Sequence, residues 1–274
     1  MKYTREFIGE GMGTFVLVLF GCGSVAVTVL FGAHQGLMEM ALVWGIGVTL
    51  AIYLTRHLSC AHLNPAVSLA MVVSGRMTVR KLPVYVTAQF AGAIVAGVTL
   101  YALFAPSIDA YEHAQGIVRG TAASVRTAMM FGEYYPNPGT TAVVSLPLAM
   151  GAEGFGTFLL VLMIFALTEG CNVGRPDNAL APVFIGLTVT SIVCLIAPLT
   201  QAGLNPARDL GPRLVAWVAG WGDAAFPDRV GGFFHVYVLA PLFGGIAAAI
   251  FFVRTLEPLM KHPSDRCDCD ADQP

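Results

Sequence analysis

The chain has 274 residues, of which 56% are hydrophobic and only 12% charged, and its mean hydropathy is +0.70. Soluble domains carry about 25% charged residues, so this composition excludes a soluble protein and indicates one that lies in a membrane. The formal net charge of −2 provides no basic excess, and a nucleic-acid partner is therefore not expected.

Six apolar stretches are long enough to cross a hydrocarbon core of about 30 Å, which requires about 20 helical residues. They cover residues 7–31, 37–58, 84–104, 143–168, 180–199 and 233–253. The first stretch follows only Lys2 and Arg5 and has no small-residue cleavage site. We therefore expect a retained helix rather than a signal peptide.

Two shorter segments begin with the same tripeptide. "CAHLNPAV" occupies residues 60–67 and "GLNPARDL" residues 203–210. Asn is a favoured helix cap and Pro a favoured first helical residue, so each Asn-Pro predicts a helix start. The segment 64–74 has 11 residues and spans about 16 Å as a helix. Each tripeptide is therefore predicted to open a half-helix that enters the membrane without crossing it.

The chain also contains an internal repeat. "EGMGTFVLVLF" at residues 10–20 returns as "EGFGTFLLVLM" at 153–163, an offset of 143 residues, and the Asn-Pro-Ala tripeptides are offset by 141. Each half holds three spans, and because three is odd, the second half must be inverted relative to the first. The predicted fold is an all-α membrane protein with six transmembrane helices and two re-entrant half-helices. It forms one channel domain, 1–262, with repeats at about 4–104 and 143–255.

Lysine and arginine set the predicted orientation. One side holds Lys2, Arg5, Arg56, Arg76, Arg80, Lys81, Arg175, Arg254, Lys261 and Arg266, whereas the long connection 105–142 holds only Arg119 and Arg126. The positive side of a membrane protein faces the cytoplasm, so both termini are predicted to be cytoplasmic. The tail 263–274 is acidic and predicted to be disordered; binding of a metal by Cys267 and Cys269 is the alternative reading of that segment.

The paired Asn-Pro-Ala motifs in an inverted repeat strongly resemble the aquaporin family, also called the major intrinsic proteins, over residues 7–253. The resemblance implies a passive channel for small neutral solutes, a homotetramer with one pore per subunit in the plasma (inner) membrane, and no cofactor, metal or catalytic residue. The motif residues are Asn64, Pro65, Ala66, Asn205, Pro206 and Ala207, and the loop residues expected to line the pore are Cys60, Ala61, His62, Gly203 and Leu204. The backbone carbonyls of 59–62 and 200–203 are expected to accept hydrogen bonds from the solute.

Glu10 and Glu153 occupy equivalent repeat positions inside apolar helices. An intramembrane carboxylate is a candidate proton relay, which would suit a proton-coupled transporter. The family resemblance implies instead that each carboxylate accepts N–H bonds from its re-entrant loop, and the duplication of the residue favours this role. His62 is read as part of the same scaffold, with a pH gate as the alternative.

The resemblance also points to a branch of the family. Arg208 matches the arginine at the family's constriction. Asp209 and Arg213, together with Pro241-Leu242 in the last span, resemble the glycerol-facilitator branch, in which Arg213 is expected to pair with Asp209 four residues earlier. Glycerol and water are therefore the expected solutes, and a water-selective aquaporin is the alternative with the same fold.

Trp44 resembles the second-span aromatic residue of glycerol facilitators, and Val193 and Ala202 lie twelve and three residues before Asn205. With Arg208 they form the selectivity filter that the resemblance implies. This quartet departs from bacterial glycerol facilitators at its two middle positions, and it resembles the filter of the plant nodulin-26-like group. The departure widens the candidate solutes to urea, undissociated lactic acid and metalloid hydroxides. Cys60 stands where the family usually has Gly, either as a thiol near the cytoplasmic vestibule or as a buried, inert one.

Overall fold

The computed structural model describes residues 3–226 and 232–261. In chain order, its helices are α1 (Thr4–Phe31), α2 (Leu37–Ser59), α3 (Pro65–Val73), α4 (Leu82–Ala114), α5 (Val125–Ala128), α6 (Leu146–Thr168), α7 (Ala181–Thr200), α8 (Pro206–Ala216) and α9 (Gly232–Met260). The predicted tail 263–274, with Cys267 and Cys269, lies outside the described residues.

Six of these helices, α1, α2, α4, α6, α7 and α9, are long and apolar enough to cross a membrane, which confirms the predicted fold class. Two predicted ends are too early, and one of them is the end of the sixth span, because α9 continues from position 253 to Met260. Helix α4 continues ten residues beyond position 104, through Pro106 and as far as Ala114. Its added turns bury Ile108 and Glu112, and this tertiary packing outweighs the backbone hydrogen bond that Pro106 removes.

The two short helices begin at the predicted residues. Asn64 caps α3 by accepting a hydrogen bond from the backbone N–H of Ala66, and Asn205 caps α8 by accepting from Ala207 and Arg208. Both asparagines have extended backbone geometry, and Pro follows each at the start of the helix. The local chemistry of Asn-Pro therefore sets the start of both half-helices.

The helices pack with the symmetry that an inverted repeat predicts. Helix α1 packs against α2 and α4, α6 packs against α7 and α9, and α2 meets α7 between the halves. Each half-helix contacts the last helix of the opposite half, α3 against α9 and α8 against α4. The halves are therefore interlocked, and neither half-helix is positioned by its own repeat alone.

Glycine pairs allow the closest helix contacts, and they too are repeated. A Cβ on Gly92 would lie 2.1 Å from the Gly11 carbonyl oxygen, and one on Gly244 would lie 2.0 Å from that of Gly154. Small residues at such crossings are typical of helix packing in lipid, where backbones must approach closely.

Contacts between chain segments define two sides of the molecule. The terminal side comprises residues 3–6, 56–60, 74–81, 169–181 and 254–261. There Arg56 Nη1 donates to the Asn178 carbonyl at 2.6 Å, and Arg76 pairs with Glu169 at 2.5 Å and with Glu257 at 3.1 Å. The loop side comprises residues 32–36, 115–145 and 217–226, at the other ends of the long helices.

Candidate functional site

The two asparagines of the motifs are bonded across the centre of the molecule. Asn64 Nδ2 donates to the Leu204 carbonyl at 3.0 Å, and Asn205 Nδ2 donates to the Leu63 carbonyl at 2.7 Å. Each side-chain amide carries two hydrogens, so each asparagine keeps one further donor. The N-termini of the two half-helices thus face one another with paired, partly unused donors.

The loop before each half-helix has an unusual backbone. Cys60, Ala61 and Leu63 have φ angles of 66°, 55° and 56°, and at the equivalent positions Gln201, Ala202 and Leu204 have 63°, 63° and 56°. This left-handed geometry costs about 1–2 kcal/mol for each non-glycine residue, so other contacts must hold the loops. The conformation also explains why glycine would suit position 60.

Two buried glutamates hold these loops through their backbone N–H groups. Glu10 accepts from His62 at 2.9 Å and Leu63 at 2.7 Å, and Glu153 accepts from Gly203 at 2.9 Å and Leu204 at 2.7 Å. Both side chains have no exposed surface. Gln89 donates to Glu10 at 2.7 Å and the Thr200 hydroxyl to Glu153 at 2.6 Å, so both carboxylate oxygens of each glutamate accept hydrogen bonds.

Two tyrosines that sequence reasoning missed fasten the ends of the same loops. The Tyr85 hydroxyl donates to the Ser59 carbonyl at 2.6 Å, and that of Tyr237 donates to the Thr200 carbonyl at 2.9 Å. Each of these two carbonyls, which were expected to serve the pore, thus already accepts one hydrogen bond from a tyrosine hydroxyl. The sequence contains a further repeated segment that predicts equivalent positions for the two tyrosines, since "YVTAQFAG" at 85–92 matches "YVLAPLFG" at 237–244.

A single cavity of about 510 Å³ connects these features. Its lining includes Arg56 and Arg76 of the terminal side, the two motif asparagines and Arg208. The predicted pore residues among its lining are Trp44, Cys60, Ala61, His62, Asn64, Val193, Ala202, Gly203, Leu204, Asn205 and Arg208.

The other four motif residues are buried in the half-helices: Pro65, Ala66, Pro206 and Ala207. The remaining branch residues, Pro241 and Leu242, lie on α9 and are not among the cavity-lining residues of the described chain.

Cys60 and His62 lie toward the terminal side of this cavity. Cys60 is exposed. The His62 ring contacts the Tyr85 ring with centroids 4.8 Å apart, and its Nδ1 lies 3.2 Å from the Ser68 hydroxyl. These contacts hold the imidazole against the loop scaffold.

Among the four predicted filter residues, Arg208 stacks on Trp44. The guanidinium carbon lies 4.1 Å from the ring centroid, and Val193 and Ala202 complete the lining there. All four residues are buried. Room for the indole comes from Gly21 on α1, where an added Cβ would lie 2.0 Å from Trp44 Cζ3. No sequence pattern singled out Gly21, because glycines recur throughout the spans.

Arg208 has a second partner that was not anticipated. Its Nη2 is in contact with Glu133 Oε1, in the connection between α5 and α6. Both side chains are only 4% exposed. Arg208 is therefore part of a buried ion pair rather than an isolated positive charge. Glu133 carried no signal in the sequence, since one acidic residue in a polar loop is usually solvated.

Asp209 and Arg213, expected only to pair along α8, also anchor this loop. Arg213 contacts Asp209 at 2.8 Å, and both side chains are almost fully buried. Asp209 Oδ1 accepts from the Glu133 backbone N–H at 2.7 Å, and Arg213 donates to the Glu133 carbonyl at 2.5 Å. Asp209 and Arg213 thus hold the backbone of Glu133 in place beside Arg208.

Comparison with known proteins agrees with this architecture. The profile of the family described as "Major intrinsic protein" matches residues 1–252. The chain is 43% identical to the glycerol uptake facilitator protein of Pseudomonas aeruginosa, over 89% of this chain and 84% of that protein. It is 42% identical to the protein of the same name from Escherichia coli K12 (96% and 91%) and 39% identical to the propanediol uptake facilitator of Citrobacter freundii (98% and 97%).

Among solved structures, the aquaglyceroporin from Plasmodium falciparum superimposes with a TM-score of 0.81 at 30% identity, covering 94% of this chain and 98% of that one. The family resemblance read from the paired motifs is confirmed, and the six apolar helices fit an integral, multi-pass membrane protein. The chain belongs to the major intrinsic protein family.

Proposed function

We propose that the protein is a passive transmembrane channel for glycerol and other small neutral solutes, with water, that excludes ions and protons. The observation that carries this proposal is the cavity lined by residues of the terminal side, by Asn64 and Asn205, and by Arg208. The names of the relatives support glycerol as a solute. The lining is largely apolar, with a few polar groups at fixed positions, which is typical of a site for a small organic solute.

A polyol has one carbon-bearing face and one face of hydroxyl groups, and the lining offers a match for each. The Trp44 ring provides an apolar surface for the carbons. The free amide hydrogens of Asn64 and Asn205 donate to hydroxyl oxygens, and carbonyls of the re-entrant loops at residues 60–62 and 201–203 accept from hydroxyl hydrogens. Irregular backbone at membrane depth is tolerated where it lines a wet cavity, which fits this use of the loops.

Ion exclusion rests on the two half-helices. Each helix N-terminus carries about half a positive charge, and here two such ends face the middle of the cavity. This arrangement opposes cations, as is established for aquaporin-type pores. The bonds made by Glu10 and Glu153 support a loop-holding role for both and argue against a proton relay.

The small side chain of Ala202 leaves room for solutes of other shapes. Urea, undissociated lactic acid and metalloid hydroxides are therefore proposed as further solutes. We also propose a homotetramer with one pore per subunit in the plasma membrane. The excess of basic residues on the terminal side supports cytoplasmic termini.

Light scattering by proteoliposomes tests the proposal. Vesicles are challenged separately with sucrose, glycerol, urea and lactic acid, with protein-free vesicles as the control. We expect shrinkage followed by rapid reswelling with glycerol and no reswelling with sucrose. Fast shrinkage in sucrose without reswelling in any of the smaller solutes would identify a water-selective channel instead.

A further inference from the structure

The pairing of Glu133 with Arg208 changes the chemistry of the constriction. A guanidinium has donors but no acceptor, whereas a carboxylate only accepts. The ion pair uses Arg208 Nη2 and Glu133 Oε1, and it leaves Arg208 Nη1 and Glu133 Oε2 buried without a hydrogen-bond partner among the described residues. A buried polar atom left in this state costs about 1–3 kcal/mol, so these two atoms mark a place for a polar ligand.

The position of Glu133 does not depend on its own side chain. Its backbone N–H and carbonyl are bonded to Asp209 and Arg213. Its neighbour Tyr134 donates from the backbone to Gln201 Oε1 at 2.8 Å and from its hydroxyl to the Ala224 carbonyl at 2.8 Å. The backbone is therefore fixed from both sides, and the carboxylate is presented to Arg208.

We propose that Glu133 is a specificity-determining residue of the pore, which neutralises Arg208 and supplies the acceptor of a donor–acceptor pair for hydroxylated solutes. One hydroxyl of a polyol donates to Glu133 Oε2 while a neighbouring hydroxyl accepts from Arg208 Nη1, and the carbons lie against Trp44. Water satisfies the same two atoms but has no carbon face for the indole. Glu133 therefore favours polyols over water by holding the polyol hydroxyls in the orientation that places the carbons on the indole, a second contact that a water molecule does not gain. This inference rests on the proposed channel function and deepens it.

The test compares Glu133→Gln with two other variants. Glu133→Gln keeps the size of the side chain and removes its charge. Glu133→Asp keeps the charge on a shorter side chain. Glu112→Gln is the matched control, because Glu112 is another buried carboxylate near the loop side, where it binds Arg119 at 2.8 Å and Thr127 at 2.6 Å. Folding of each variant is checked by gel filtration and circular dichroism before reconstitution.

The readout is the ratio of glycerol to water permeability in the same proteoliposomes. Loss of one hydrogen bond to the solute corresponds to roughly a fivefold change in rate. We expect this ratio to fall by about that factor in Glu133→Gln. In Glu133→Asp it should lie between the values of the unmodified protein and of Glu133→Gln, and in Glu112→Gln it should stay unchanged. An unchanged ratio in Glu133→Gln, or an equal loss of glycerol and water flux in Glu133→Gln and Glu133→Asp, would overturn the inference.

A pH series provides a second test, because the glycerol-to-water permeability ratio should depend on pH only if the charge of Glu133 acts on the solute. Burial raises the pKa of Glu133 to about 7, against the opposing attraction of Arg208. The carboxylate is therefore ionised above that pH and becomes protonated as the pH falls below it. The titratable and charged groups that act on Glu133 from the surrounding elements are Arg208, Asp209 and Arg213 on α8, Glu153 on α6, Cys22 on α1, Tyr134 beside it, and Tyr237 on α9.

Between pH 8 and pH 6, the glycerol-to-water ratio of the unmodified protein should fall toward that of Glu133→Gln, whose own ratio should stay constant. An equal pH response in both proteins would assign the titration to another group, such as Glu153, and would contradict the inference. Failure of the unmodified protein to conduct glycerol at any pH would instead contradict the proposed function, so the two failures are distinguishable.

Discussion

Asn64 and Asn205 form reciprocal hydrogen bonds, in which each side-chain amide donates to the carbonyl that precedes the other asparagine. The same side chains cap α3 and α8 through their oxygens. Each asparagine therefore starts its own half-helix with one atom and ties it to the opposite half with another.

The first prediction separates these two roles at residue 64. In Asn64→Asp the carboxylate still caps α3, but it has no amide hydrogen for the Leu204 carbonyl, and it places a negative charge at the centre of the pore. We expect a loss of roughly 1–3 kcal/mol in stability and a measurable cation conductance. Asn64→Ala loses the cap as well and should be less stable, without gaining conductance. Thermal unfolding in detergent and currents in planar bilayers distinguish the two variants.

The second prediction concerns the tyrosines that fasten the loops. Tyr85→Phe and Tyr237→Phe each remove a buried hydrogen bond to a carbonyl, so each should destabilise the protein by about 1–3 kcal/mol. Tyr53 is the control, because its hydroxyl donates to the Ala179 carbonyl at an exposed site and the Phe variant should change little. Equal melting temperatures for all three variants would show that the loops do not need these bonds.

The sequence predicted the fold because its signals are local and repeated. Asn-Pro sets a helix start, span length follows from hydropathy, and the segments that begin at Glu10 and Glu153 indicate the repeat. The inversion follows from the three spans in each half. The end of α4 was missed because Pro106 normally ends a helix, and only the burial of Glu112 against the loop explains why this one continues.

The constriction was predicted only in part, and the reason is again physical. Trp44 and Arg208 are large side chains in segments that resemble the family's own, and Val193 and Ala202 follow by counting back from Asn205. Gly21 and Glu133 act through contacts with distant chain segments, and neither belongs to a periodic pattern. Tyr85 and Tyr237 do belong to a repeat, at 85–92 and 237–244, but the match is shorter and its offset of 152 differs from 143.

The third prediction tests the space behind Trp44. In Gly21→Ala the new methyl group would lie 2.0 Å from the indole, so the ring must move toward the pore. We expect glycerol permeability to fall by about tenfold, equivalent to about 1.4 kcal/mol in the barrier. Gly23→Ala on the same helix is the matched control, because its nearest neighbour lies at 3.5 Å. Similar glycerol permeabilities of the two variants would mean that Trp44 does not line the constriction.

The fourth prediction addresses charge at the constriction. Arg208→Ala leaves the Glu133 carboxylate without its partner, which should attract cations. Arg208→Ala combined with Glu133→Gln removes both charges and leaves only the half-helix dipoles to oppose ions. Removal of Arg208 takes away the attraction that lowers the pKa of Glu133, so the leak is measured from pH 8.5 upward. We expect the larger cation leak in the single variant, and we expect it to grow as the pH rises. Equal leaks would show that the carboxylate does not act on the pore.

Uptake of labelled glycerol into proteoliposomes tests the central claim, passive conduction, most directly. The initial rate should rise in proportion to external glycerol over ordinary concentrations, and a pH gradient in either direction should leave it unchanged. The internal concentration should reach the external one and stop there. Accumulation above the external concentration when a proton gradient is imposed would contradict the channel and identify a coupled transporter.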